Sequence, residues 1–251
     1  VYNFGANAYG KPATGLNILR ETIMGHELFD HAFKTYANRW KFKHPTPEDF
    51  FRTMEDASAV DLDWFWKGWF YSTDVVDLGI KNVKQFYVTE DPTKEATASF
   101  NRRGRRMTDA GPLLYIVNSE NTDLKPELKA ALEKEKVVAL NEYLTKNYTP
   151  EERAALKNPK FFYEVEFDKP GSLMMPIIAE LNFEDGTKEV HKFPVQIWRR
   201  NNTTAKRIFA TEKKVVKIQL DPKLETADID VTNNTWPKEA VVDKFEQIEK
   251  K

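Results

Sequence analysis

The sequence has 251 residues, of which 41% are hydrophobic and 13% aromatic, enough apolar material to bury a core in one large or two modest domains. Lys and Arg number 38 against 39 Asp and Glu, and the net charge of -1 gives no general attraction to nucleic acid or to an anionic membrane surface. The absence of cysteine excludes disulfides and thiolate metal sites, and no window approaches the roughly eighteen apolar residues of a helical membrane span.

The sequence begins at Val1 without an initiator Met, and the expectation is the carboxyl-terminal part of a longer protein, with any export signal lying upstream. From Lys11 to about Tyr71 the apolar residues recur at helical spacing. Leu16, Leu19 and Ile23 mark one segment, and Leu28, Phe29, Ala32, Phe33 and Tyr36 the next. Gly25 is expected to end the first helix. Thr46-Pro47, ahead of Phe50, Phe51 and Met54, supplies an N-cap with proline in the first turn. Asp61 is placed to cap a fourth helix bearing Trp64, Phe65, Trp66, Trp69 and Phe70, whose aromatic density predicts buried packing rather than a ligand cage.

From Ile80 the period changes to two. In Phe161 to Phe167, the residues Phe161, Tyr163, Val165 and Phe167 alternate with Glu164 and Glu166. Ile177 to Phe183 and Glu189 to Trp198 are predicted to form a hairpin across Asp185-Gly186, with a primed turn. Arg207 to Ala210 and Val215 to Leu220 are further strands, and Ile80 to Val88 an early one. Short strands at this spacing predict an antiparallel β-sandwich. A helical insertion is expected at about 101–160, where Leu124 to Leu144 has helical period and Thr149-Pro150-Glu151-Glu152 reads as a capping box. The predicted class is α+β, with a helical bundle over 1–78, a sandwich over 79–236, and a short helical or frayed tail over 237–251.

His26-Glu27-Leu28-Phe29-Asp30-His31 resembles the zinc motif H-E-x-x-H, but with one residue too many. A five-residue step turns His31 roughly 140° away from His26 on a helix, so no metal site is predicted there. His44 precedes Pro45 in a loop and His191 lies on a polar strand face, each without a partner at ligand spacing. Arg102-Arg103-Gly104-Arg105-Arg106 is the strongest basic run, but residues 79–160 carry only a slight basic excess, and a solvated tip is expected rather than a nucleic-acid site. No phosphate loop or Ser/His/Asp arrangement is present. Asn-x-Ser/Thr patterns at Asn147, Asn201, Asn202 and Asn233 arise readily by chance and assign no compartment.

The segment from Ala8 to about Val83 resembles the end of the catalytic domain of the aminopeptidase N-like zinc metallopeptidases. The resemblance is carried by Ala8-Tyr9-Gly10-Lys11, Leu16-Asn17-Ile18-Leu19, Phe29-x-x-x-Phe33-x-x-Tyr36, His44-Pro45-Thr46-Pro47-Glu48-Asp49-Phe50 and Asp61-Leu62-Asp63-Trp64-Phe65. Phe161 to Gly171, Trp198, Asp221-Pro222 and Asn233-Asn234-x-Trp236 are similar to the fibronectin-like β-sandwich that follows in that family, especially in bacterial members. Residues from about 90 to 160 match nothing in it. The resemblance implies a thermolysin-like catalytic domain whose zinc motif lies upstream, with zinc in the parent and no cofactor in this chain. It implies peptide substrates, and an upstream part of the catalytic domain as partner. It also suggests a periplasmic or secreted location. In the family a Tyr downstream of the zinc ligands stabilises the tetrahedral oxyanion, and Tyr9 occupies the matching place, although Lys11-Pro12 departs from the usual Tyr-x-Lys-Gly. The alternative is a non-catalytic β-sandwich module serving interaction or scaffolding.

Overall fold

The computed structural model describes residues 3–89, 115–118, 138–156 and 158–238. Helix α1 (Lys11–Ile18) is continuous with a π-helical turn at each end, Ala6–Gly10 and Leu19–Met24. Gly25 then stops the rod with φ 81°, a backbone conformation that a side chain would oppose. Helices α2 (His26–Trp40), α3 (Pro47–Ser58) and α4 (Asp63–Tyr71) follow. Thr46 closes a reciprocal capping box with Asp49: its hydroxyl accepts from the Asp49 amide, and its own amide donates to Asp49 Oδ2 at 2.9 Å. At α4 the cap position falls on Leu62 rather than Asp61. Asp61 still serves the helix start, where its Oδ1 accepts from Asp63 N at 3.2 Å.

The aromatic run on α4 packs into the bundle as its sequence suggests. Phe65, Trp66 and Trp69 are buried, and Trp66 stacks on Phe51 of α3 with centroids 4.5 Å apart. A Cβ on Gly15 of α1 would lie 3.2 Å from the Trp69 ring, so this glycine sets the close approach of α1 to α4. Thr53 joins α2 to α3, accepting from Trp40 Nε1 at 3.1 Å and donating to the Asp49 carbonyl.

The strands are β1 (Gly79–Thr89), β2 (Tyr115–Asn118), β3 (Val138–Ala139), β4 (Phe161–Asp168), β5 (Ile177–Phe183), β6 (Lys188–Phe193), β7 (Thr204–Thr211), β8 (Val215–Leu220) and β9 (Thr235–Trp236). They form two antiparallel sheets, β3-β2-β1-β4-β7 and β6-β5-β8-β9. The sheets face each other as a sandwich, sharing one core that includes Val83, Val165 and Phe167 from the first and Ala179, Leu181 and Ile218 from the second. On the outer face of β4, Glu166 lies between Lys81 and Lys206 of the flanking strands, at 3.1 and 3.3 Å. The molecule is thus α+β, with helices and a two-sheet sandwich.

Three further details differ from expectation. The 101–160 insertion is not wholly helical, because it returns β2 and β3 to the first sheet before α5 (Leu140–Asn147) and α6 (Pro150–Ala155). Thr149 does cap α6 in the expected box, whereas the helical period expected from Leu124 lies mostly outside the described residues, as does the tail beyond 238. Tyr143 of α5 also covers Phe162, so β4 is buried at that point on both faces. In the β5–β6 loop, Gly186 alone has positive φ; its amide donates to the Phe183 carbonyl at 3.0 Å. The result is a three-residue loop ending on a left-handed residue, not a primed two-residue turn. Finally, β6 stops at Phe193, since Pro194 has no N–H for the ladder. A 3₁₀ turn then buries Trp198, whose indole donates to the Met175 carbonyl at 2.8 Å.

The bundle and the sandwich are stitched together at residues 75–78. Gly171 N donates to Asp77 O and Ile229 N to Val76 O, and Lys169 Nζ, largely buried, donates to the Gly171 and Ser172 carbonyls at 3.1 and 2.8 Å. Leu173 seats against Gly68 of α4, and one hydrophobic cluster runs from Ile18 through Trp69 to Leu220.

Candidate functional site

Tyr9 sits in the π-helical turn ahead of α1, where it is 70% exposed. Its ring meets Phe4 edge-on, with centroids 6.1 Å apart, and its hydroxyl makes no hydrogen bond to another described residue. Two residues on, the Lys11 ammonium donates to the Ser72 carbonyl at 2.9 Å. That bond ties the start of α1 to the end of α4 and fixes the segment that carries the phenol. An exposed phenol on an anchored helix can donate one hydrogen bond to an incoming oxygen.

The histidines do not assemble with it. His26 starts α2 and its Nε2 contacts Glu21 Oε2, while His31 lies exposed on the same helix. The hydrogen bond from His26 and its charge hold the Glu21 carboxyl below its usual range. Arg20 grips Asp30 with two hydrogen bonds, at 2.8 and 3.1 Å, so Asp30 too is committed to an ion pair. His44 is exposed in the α2–α3 connection. His191 contacts Glu189 at 3.1 Å and tilts against Phe209. Among the described residues no three His, Asp or Glu side chains converge on a point where a metal could bind. The basic run Arg102 to Arg106 lies outside the described residues.

A groove opens elsewhere, where the helices meet the second sheet. Its deeper part is a well of about 340 Å³ walled by Ile23, Leu62, Trp64, Ile178 and Phe193, with Lys192 among its lining residues. Past Val195 and Gln196 it continues into a shallower arm of about 930 Å³ bordered by Met174, Arg199, Arg200, Asn201 and Asn202. Asp61, Trp64, Val195 and Gln196 line both parts. The well has the volume of ordinary ligand sites and the mixture they favour, apolar walls with a few polar groups at the edge.

The local sequence explains the groove. Pro194 ends β6 and the following turn buries Ile197 and Trp198, which leaves Arg199 and Arg200 exposed beside it. Trp64 projects from the first turn of α4, and its indole donates to the Asp61 carbonyl at 3.2 Å. The sequence marked Trp64 only as packing and did not single out Lys192, Arg199 or Arg200. The one available signal was the polar run Arg199 to Asn202 directly after a tryptophan. No family model matches this chain, and no curated protein does.

Proposed function

We propose that this chain is the carboxyl-terminal part of a zinc-dependent, aminopeptidase N-like metallopeptidase, with the last helices of a thermolysin-like catalytic domain followed by a fibronectin-like sandwich. The observation that carries this reading is Tyr9: an exposed phenol without a hydrogen-bond partner among the described residues, held on a helix that Lys11 anchors to Ser72. Its support in sequence is the ordered resemblance from Ala8 to Val83.

The described residues do not suit a zinc ion, since His26 is taken by Glu21 and no third ligand stands near it. The resemblance places zinc in the upstream part of the parent. What this chain contributes is the Tyr9 phenol, which donates a hydrogen bond to the oxygen that becomes negative as a peptide carbonyl turns tetrahedral. A donor aimed at developing charge is worth about 3–4 kcal/mol of barrier in comparable oxyanion sites. In the parent polypeptide, Tyr9→Phe should lower turnover at least tenfold while zinc content is unchanged; turnover equal to the wild type would refute the assignment. The 251-residue chain alone is expected to be inactive and to hold almost no zinc by elemental analysis. One tightly bound zinc per chain would overturn that expectation.

The second reading, a non-catalytic interaction module, is favoured by one feature, the groove between the bundle and the second sheet. The upstream gene sequence discriminates between the two: an intact H-E-x-x-H supports the peptidase, and a degraded motif the module.

A further inference from the structure

The groove has a definite chemical character, independent of Tyr9. Its well is mainly apolar, lined by Ile178, which is 4% exposed, by Trp64 of α4 and by Phe193 at the end of β6. Cationic side chains line both parts of the groove. Lys192 lines the well, and among the described residues its ion-pair partner is Glu225, 4.0 Å away. Arg199 and Arg200 border the arm, exposed and without an ion pair to any described residue. Asp61 is the one acid on the shared wall, and its Oδ1 already accepts from the Asp63 amide.

We infer that this groove binds an extended acidic peptide segment, with one bulky apolar side chain in the well and carboxylates on either side. The anchor fits because the well offers apolar walls and an aromatic face of Trp64 that solvent covers poorly. Guanidinium groups without a carboxylate partner take bidentate carboxylates well, and Lys192 supplies a point charge in the well. Asp61 disfavours a carboxylate over the middle of the groove, so the acidic residues fall at the ends, with the apolar residue between them. The two unpaired arginines at one end make that end the stronger contact.

The test is fluorescence anisotropy with a fluorescein-labelled peptide that carries one phenylalanine between two pairs of glutamates. Three control peptides replace the glutamates with glutamines, replace the phenylalanine with glycine, or reverse the charge with lysines. The full chain should bind the first peptide saturably and each control at least tenfold more weakly. The double variant Arg199→Glu/Arg200→Glu, at two exposed positions without an ion pair to any described residue, should weaken the first peptide at least tenfold with an unchanged circular dichroism spectrum. Trp64→Ala should do the same. If that variant unfolds, Val195→Glu, which blocks the shared wall from a half-buried position, takes its place. Absence of binding to the wild type would overturn the proposal, as would equal binding of the glutamine peptide or indifference to the arginine reversal. A dimer that the double variant converts to monomer, with no peptide bound, would also overturn it and assign the face to a second copy of the chain.

Discussion

The Tyr163 hydroxyl accepts a hydrogen bond from the Val215 amide at 2.8 Å, joining β4 of one sheet to β8 of the other inside the sandwich. The phenol is 1% exposed, so the bond is made where water cannot replace it. Tyr163→Phe keeps the ring and removes the hydroxyl, which also donates a long 3.5 Å bond to the Val215 carbonyl, and it leaves the Val215 N–H buried without its acceptor. A loss of about 1–3 kcal/mol is expected, read as a lower urea midpoint at constant slope. A change within error would mean that a shifted carbonyl takes over the donor.

Gly171 lies against the connection between bundle and sandwich. A Cβ there would come 2.4 Å from the Val75 carbonyl oxygen and 2.6 Å from the Asp77 nitrogen. Both are backbone atoms, and the Val75 oxygen already accepts from the Leu173 amide, so neither can swing aside as a side-chain end would. Gly171→Ala should cost upward of about 3 kcal/mol, at or beyond the usual range for overpacking, and should lower the thermal midpoint far more than Gly186→Ala. At Gly186 no atom lies within 4 Å of the added Cβ, and only the positive φ of 80° opposes it.

These features differ in how visible they were in sequence. The caps at Thr46 and Thr149 were legible because all their partners lie within three positions of the cap. The alternation of β4 was legible for its sandwich face, where Val165 and Phe167 obey the period of two. Burial of Phe162 was not legible, because α5 approaches from an insertion whose own period says nothing about where it packs. Asp185-Gly186 announced a turn but not its type, since a positive φ at the glycine is common to several. Tyr9 was singled out by its neighbours in sequence, and the structure adds its exposure and the Lys11 anchor. The groove was illegible: Trp64 and Arg199 come from elements far apart in the chain, and only the meeting of the bundle with the second sheet brings them to one wall.

The α3 cap can be measured directly. Thr46→Ala removes the oxygen that the Asp49 amide donates to, and it also removes the hydroxyl that contacts Asp49 Oδ2 at 3.1 Å. The expected loss is about 1 kcal/mol. Thr46→Ser should restore most of it and Thr46→Val should not, although Val matches the shape of Thr. Equal stability of the Ser and Val variants would place the contribution in packing rather than in the cap.

Asp185 gives the hairpin a pH signature with a definite sign. Its carboxylate accepts from Lys213 Nζ and from the Thr187 hydroxyl, both at 2.5 Å, and from the Thr187 amide at 3.0 Å. The Lys213 hydrogen bond is the main cause that holds this carboxyl below its usual 3.8, with Thr187 adding to it. A folded pKa below the unfolded one means that the contribution is complete above about pH 4 and is lost as pH falls toward the folded value. Burial pushes Asp168 and Asp228 the other way over the same range, so wild-type stability alone would blend the signs. The comparison to make is therefore wild type against Asp185→Asn, in which those contributions cancel. The difference in urea midpoint should be constant from pH 7 to about pH 5 and shrink below pH 4. Added salt should reduce it throughout, because the Lys213–Asp185 pair is exposed and screened. A difference that stays level to pH 2 would show that the loop geometry, and not the charge on Asp185, sets the stability of this turn.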